Sequence, residues 1–209
     1  MRTNRLSLQR IVLVRAGRTR LSAERRFCGH ADPPLDERGR WEADALAQRL
    51  ASEWRPGLVL ASAAWRATDT ARAIAAWSRC TWDAWPGLAD VDVGAWEGLT
   101  RDEARSRDPA VFGRWFTSPA AVGFPGGERL LELRVRARAL LDEVSARAPT
   151  GVVAVVGHDG INRAILLAAL GLPLSHYHRL RQATGCLNVI APNRFGHVVL
   201  TLNDTGHLR

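Results

Sequence analysis

Ile11-Val12-Leu13-Val14 runs straight into Arg15-Ala16-Gly17-Arg18-Thr19: four consecutive apolar residues, then a basic turn that contains glycine. A short, wholly apolar run bounded by a turn signal reads as a strand buried on both faces. Leu58–Ala61, Val152–Val156 and Leu187–Ala191 share that character, with His197–Leu202 as a fifth strand and Cys80–Trp85 as a weaker candidate. Helical patterns lie between them over Glu37–Ser52 (apolar at 41, 45, 46 and 50), Trp65–Trp77 and Glu128–Ala148. A shorter helix over Asn162–Leu170 is stopped by Gly171 and Pro173. Apolar strands alternating with amphipathic helices predict an α/β fold, a three-layer sandwich with a mostly parallel central sheet and helices on both faces. The stretch from about 100 to 127 breaks the rhythm with Pro109, Pro119 and Pro125-Gly126-Gly127. It reads as a small helical and loop insertion over the carboxyl ends of the strands, where open α/β sheets bind ligands, with Trp115, Phe116 and the Pro125–Glu128 loop as candidates for covering a bound molecule. The 209 residues form a single domain on this reading.

All 29 basic residues are arginine, against 21 acidic ones, for a net charge of +8. The absence of lysine excludes a Walker A loop, protein-kinase catalysis and Schiff-base chemistry, each of which requires one. The arginines are dispersed among Glu, Asp and Ala on helical segments with no dense basic arm, so nucleic acid is not the expected partner. Cys28, Cys80 and Cys186 are odd in number and widely spaced, which fits reduced thiols in the cytoplasm and no zinc site. Ile11–Val14 is too short for a signal segment, and no stretch is long enough to span a bilayer. His176 and His178, two residues apart, do not converge on one helix face, and no metal or other cofactor is expected.

Three strand ends carry chemistry. Arg15 to Thr19 follows the first strand, Ser62 and Arg66 follow the second, and Gly157-His158-Asp159-Gly160 follows Val152–Val156 and opens a helix. Guanidinium groups and the N–H groups of a helix start are what an anion needs, and all three strand ends lie on one edge of the sheet.

With those residues in view, Val14–Thr19 resembles the Arg-His-Gly-x-Thr signature of the histidine phosphatase superfamily, also called phosphoglycerate mutase-like. Ordered matches run through Cys28-Gly29-His30, Pro34–Gly39, Ser62, Arg66-Ala67, Thr70-Ala71, Leu88, Gly94–Gly98, Pro125–Glu128 and Gly157–Gly160. The resemblance implies hydrolysis of a small-molecule phosphate monoester through a phosphohistidine. Carried over residue by residue, Arg15 and Arg66 clamp the phosphoryl oxygens and His158 is the second histidine. Arg18, Thr19, Ser22, Asp159 and Gly160 are further substrate-binding positions. Within the superfamily, the spacing around Phe27–His30, Pro125–Glu128 and Gly185-Cys186 is similar to α-ribazole phosphatases, which act in cobalamin nucleotide-loop assembly, and to broad-specificity phosphatases. A homodimer stands as an option.

Three positions depart from the pattern. Ala16 occupies the nucleophile's place, and a methyl group cannot attack phosphorus. Ser22 stands where many members have asparagine. Asp90 stands where the general acid is usually glutamate, with Asp92 and Glu97 as alternatives and Glu97 read as part of a structural turn. Ala16 fits either a natural pseudoenzyme or an engineered substitution that leaves an inactive variant. The survival of Arg15, Arg66, Asp90 and His158 favours the second.

Overall fold

The register between two strands decides where the chemistry meets. In a computed structural model, which describes residues 9–147 and 150–209, β1 (Arg10–Arg15) pairs in parallel with β4 (Val152–Gly157). Arg15 lies opposite Gly157, so the turns that begin at Ala16 and His158 leave the sheet side by side. β2 (Leu58–Ala61) joins the other side of β4, and β3 (Thr81–Ala84), the weaker candidate, forms the edge beyond it. β5 (Leu187–Asn193) runs antiparallel to β1, and β6 (Gly196–Asp204) antiparallel to β5, giving the order β3-β2-β4-β1-β5-β6. Only Arg194 and Phe195 separate the last two strands, and so short a link can join only an antiparallel pair.

Alternate residues of β1 serve different layers. Ile11 and Leu13 pack with α6 (Leu130–Arg147) and α7 (Asp159–Ala169) through Leu133, Leu140, Ile161 and Ile165. Val12 and Val14 face the opposite layer, where α2 (Glu37–Arg49) and α3 (Trp65–Ser78) contribute Leu46, Ala47, Ala71 and Ile74. This is the expected three-layer α/β arrangement. The Glu37 helix widens its hydrogen-bond spacing at its end: a π turn over Leu50–Trp54 follows α2 and ends on left-handed Arg55. α7 begins at Asp159, where the Gly157–Gly160 motif is expected to open a helix, three residues before the apolar pattern over Asn162–Leu170; His158 holds the N-cap position without a side-chain cap bond. α6 begins at Leu130 rather than Glu128, and the expected end at Ala148 lies outside the described residues. No helix of the described residues is long and apolar enough to cross a membrane.

The segment after residue 100 holds α4 (Arg101–Arg107) and α5 (Pro109–Thr117). Its anchor is Trp96, fully buried, with Phe27, Phe112 and Phe124 at ring distances of 5.1, 5.9 and 5.3 Å. Each such ring pair adds about 0.5–1.5 kcal/mol beyond the burial itself. The indole N–H donates to Asp108 at 2.8 Å, which ties the start of α5 to the same anchor. The four-residue helix α1 (Arg20–Ala23) closes the turn after β1.

Candidate active site

Both backbone groups of residue 16 are tied down. The Ala16 N–H donates to Gly157 O at 3.0 Å, and its carbonyl accepts from the Gly185 N–H at 3.3 Å. The Cβ direction is therefore fixed, and Ala16 lies on the wall of a cavity of about 540 Å³. Gly17 donates to Thr70 Oγ1 at 3.2 Å, and a Cβ here would overlap the carbonyl oxygen of Gly39, so the turn needs glycine at this close approach. The buried Glu42 carboxylate accepts from the Arg18 N–H at 2.9 Å and holds the turn from below. Thr19 and Ser22 line the cavity and form a reciprocal cap on α1: Thr19 Oγ1 accepts from Ser22 N–H at 3.3 Å and Ser22 Oγ from Thr19 N–H at 2.9 Å. The Arg18 guanidinium does not line the cavity. Its Nε donates to Asp36 at 2.9 Å.

Arg15, Arg66, His158, Asp159 and Gly160 all line the cavity. Arg15 is held by the Gln182 carbonyl and by Asp159 at 3.6 Å, and the Gln182 side chain is fixed in turn by buried Asn188 at 2.9 Å. Arg66 is almost fully buried and donates three ways: to Ala31 O at 2.8 Å, Gly29 O at 3.1 Å and His158 Nδ1 at 3.1 Å. A guanidinium only donates, so Nδ1 must be the acceptor and the imidazole hydrogen sits on Nε2. That Nε2 is buried without a hydrogen-bond partner among the described residues. Burial, then Arg66, Arg15 and His30, hold the His158 pKa well below its usual value, so the ring is a neutral donor. An unsatisfied buried donor costs about 1–3 kcal/mol, which an incoming anion would recover.

Of the three carboxylates weighed for the acid, only Asp90 lines the cavity. Asp92 accepts from Gly94 N–H at 2.8 Å, and Glu97 accepts from the N–H groups of Gly29 and His30 at 3.0 and 2.9 Å, both within the surrounding loops. Asp90 Oδ1 accepts from Ile161 N–H at 2.9 Å. Burial first, then the negative charge of Asp159, push its pKa up to about 6 against the pull of Arg66 and two backbone N–H groups. A proton held near neutrality suits a general acid. Gly160 leaves the room: a Cβ there would overlap Asp90 Oδ1 and sit 3.0 Å from the Tyr177 hydroxyl.

Trp115 and Phe116 of the insertion line the cavity, together with Phe124, but Pro125–Glu128 does not. That motif braces the loop that carries Asp90 instead. Glu128 N–H donates to Asp92 O at 2.8 Å, and the Glu128 carboxylate receives Arg136, which also donates to Gly87 O and Ala89 O at 3.2 and 2.7 Å. Sequence reasoning missed this brace and missed Arg163, whose side chain bonds Asp159 at 3.0 Å. An acid–arginine pair four residues apart at the start of a helix was the available signal. It also missed Tyr177, whose ring lies 5.5 Å from Trp115. A second recess of about 380 Å³, lined by His30, Asp32 and Ser62, meets the first at Arg66, Asp90 and His158. Among the described residues, no group of three or more His, Cys, Asp or Glu side chains is placed to hold a metal ion.

A sequence profile of the histidine phosphatase superfamily (branch 1) matches residues 11–205. The chain belongs to this superfamily. It is 32% identical over 199 residues to phosphoserine phosphatase 1 of Hydrogenobacter thermophilus, covering 95% of this chain and 94% of that one. The solved structure of Bacillus stearothermophilus YhfR superposes with a TM-score of 0.87 at 27% identity, covering 96% of this chain and all of that one (100%). The α-ribazole phosphatase from Shigella flexneri shares the fold, with a TM-score of 0.83 at 24% identity over 93% of this chain and 96% of that one. The expected superfamily and fold are both found. As a histidine phosphatase, the chain presents its signature turn with alanine at position 16 and with the neighbouring donors in place.

Proposed function

We propose that this histidine phosphatase domain binds phosphate monoesters at Arg15, Arg66 and His158, and that the same scaffold with histidine at position 16 hydrolyses them. The observation that carries the reading is the His158 Nε2–H, a buried donor without a partner among the described residues, beside two guanidinium groups. In the hydrolytic form the residue-16 imidazole nitrogen attacks phosphorus and the P–O ester bond breaks. The leaving oxygen takes its electron pair and the Asp90 proton. Water, losing a proton to the Asp90 carboxylate, then cleaves the P–N bond and releases phosphate. Arg15, Arg66 and His158 stabilise the charge on the transferring group, which is where most of the catalysis of phosphoryl transfer lies. With Ala16 there is no attacking group, and the chain holds the ester without turning it over.

A phosphomonoester panel assayed with the Ala16→His chain tests this. Turnover at least about 10³-fold above that of the present chain is expected, since a nucleophile is restored. A histidine variant that is inert on a broad panel but binds phosphate esters would make the chain a phosphate-ester binder by nature. The finer substrate reading, α-ribazole 5′-phosphate, is supported by the motif spacing alone, and broad-specificity hydrolysis by the same motifs. Calorimetry of α-ribazole 5′-phosphate against inorganic phosphate separates the two. The three cysteines carry no disulfide, and a reducing cytoplasm is the compartment we propose.

A further inference from the structure

Tyr177 is buried, lines the cavity and is the one tyrosine in the sequence. Its ring is held on two sides, 5.5 Å from the Trp115 ring and with the Arg163 guanidinium 5.3 Å from its centre. Its backbone carbonyl accepts from Arg163 at 3.4 Å. The hydroxyl, by contrast, has no hydrogen-bond partner among the described residues, and unlike His158 Nε2 it is not sealed away from the cavity space. A buried phenol ordinarily finds a partner for its O–H, so the partner of this one comes from the cavity.

Gly160 marks where that partner sits. A Cβ on Gly160 would overlap Asp90 Oδ1 and stand 3.0 Å from the Tyr177 hydroxyl, so the two oxygens flank one gap that glycine keeps clear. They do not bond each other, and one oxygen atom placed between them would reach both. Burial, then the charge of Asp159, hold the Tyr177 pKa well above its usual value, so the phenol keeps its proton and stays a donor. The gap thus offers one oxygen a carboxyl group on one side and a phenol on the other.

We propose that Tyr177 is a further catalytic residue, whose hydroxyl holds, together with Asp90, the oxygen that joins phosphorus to the organic half of the ester. This rests on the phosphate-ester reading given above. As the P–O bond breaks, its electron pair goes to that oxygen, which takes the Asp90 proton while the Tyr177 O–H donates a hydrogen bond to it. Water then enters the vacated place. One of its hydrogens passes to the Asp90 carboxylate and the other is accepted by the phenol oxygen as the water oxygen attacks phosphorus. The P–N bond breaks and its electron pair returns to the residue-16 imidazole.

Tyr177→Phe tests this, because it removes the hydroxyl and keeps the ring against Trp115 and Arg163. In the Ala16→His chain, alkyl phosphate turnover should fall about tenfold, the worth of one hydrogen bond to a developing charge. The rapid burst of phenolate from an aryl phosphate should change less than about twofold, since that oxygen leaves without help. The steady aryl rate after the burst, which reports attack by water, should fall with the alkyl rate. Calorimetry of the Ala16 chain should show affinity for inorganic phosphate kept within about threefold, because Arg15, Arg66 and His158 are untouched. A second measurement leaves the side chain in place. Fluorotyrosine incorporated throughout reports on Tyr177 alone, and saturation of the Ala16 chain with methyl phosphate should shift its fluorine resonance. An unmoved resonance, alkyl turnover within twofold of the parent, an aryl burst slowed as much as alkyl turnover, or phosphate affinity lost in step with turnover each overturns the role of Tyr177. An Ala16→His chain inert on every ester, before Tyr177 is changed, would instead overturn the hydrolytic reading itself.

Discussion

Arg66 Nε donates to His158 Nδ1 at 3.1 Å, and that single bond decides which nitrogen of the imidazole carries its hydrogen. Because Nδ1 is occupied as an acceptor, Nε2–H is left as a donor for a phosphoryl oxygen. Arg66 does this while holding the carbonyls of Gly29 and Ala31, so one side chain fixes both a loop and a tautomer beside the proposed phosphate site.

Arg66→Lys should separate these roles. A lysine keeps the charge but cannot donate in three fixed directions at once. Affinity for a phosphate ester should fall about 10–100-fold, the loss of one or two charge-assisted hydrogen bonds. Nitrogen NMR of His158 should show the ring passing from one tautomer to a mixture. An unchanged tautomer with weakened binding would place the tautomer's cause elsewhere than in Arg66.

His158 and Asp90 push stability in opposite directions with pH. The His158 pKa is lowered by folding, so its contribution is present above its usual value of 6.5 and is lost as the pH falls below it. The Asp90 pKa is raised from 3.8 to about 6, so its contribution is present below 3.8 and is lost as the pH rises through 6. Asp90→Asn should therefore gain stability over the parent above pH 6, by about 1–3 kcal/mol at pH 8, with the gain shrinking as the pH falls towards 4. Urea melts from pH 4 to 8 measure it. In the Ala16→His chain the same substitution should slow alkyl phosphates far more than aryl phosphates, and should abolish a fall in kcat/KM above about pH 6, because only poor leaving groups need the proton. Equal losses on both ester types would remove Asp90 from the acid's role.

The strands and the site floor were legible in the sequence for the same reason. A strand buried on both faces must be a continuous apolar run, and the polar residue that ends it must face the edge of the sheet. Ile11–Val14 with Arg15 and Val152–Val156 with His158 both announce themselves in this way. The direction of β5 was not legible from its composition, since an apolar run is the same read either way, although the two-residue link to β6 fixes one of the two. What Pro125–Glu128 does was also hidden. A Pro-Gly-Gly-Glu string signals a turn, but whether the turn covers a ligand or braces a neighbouring loop depends on Arg136 and Asp92, far off in sequence. Arg18 shows the reverse case. It sits in the signature turn, yet its guanidinium bonds Asp36 on the outside, because successive residues of an extended turn point to opposite sides.

Gly160→Ala should disturb the acid without touching the clamp. The added Cβ would overlap Asp90 Oδ1 and press on Tyr177 and Val91, all of them buried. Overpacking of this kind costs about 1–3 kcal/mol. Asp90 must then give up the Ile161 N–H it accepts from at 2.9 Å. Thermal melts should show the loss, and in the Ala16→His chain turnover of alkyl phosphates should fall while affinity for inorganic phosphate changes little. A loss of phosphate affinity as large as the loss of turnover would mean that the whole start of α7 had moved.

The last test concerns how Asp90 is held. Arg136 on α6 donates to the carbonyls of Gly87 and Ala89 just before the acid, and grips Glu128, whose backbone N–H and carboxylate meet Asp92 just after it. The loop carrying Asp90 is thus bonded on both sides to one arginine–glutamate pair. Arg136→Met keeps the length and apolar stem that pack on α6 and removes the donors. Two carbonyls and a half-buried carboxylate lose their partner, a cost of about 1–3 kcal/mol that a urea melt resolves. As the loop loosens, water reaches the acid and its pKa should drop from about 6 towards the ordinary carboxylate range, since burial is the largest cause of its rise. In the Ala16→His chain the fall in kcat/KM for alkyl phosphates should accordingly begin at lower pH, with aryl phosphates nearly unaffected. Combining Arg136→Met with Asp90→Asn should add little to the alkyl-ester defect of Asp90→Asn alone, because both act on one proton. Additive losses, or equal slowing of both ester types, would show that Arg136 supports the fold at large rather than the acid.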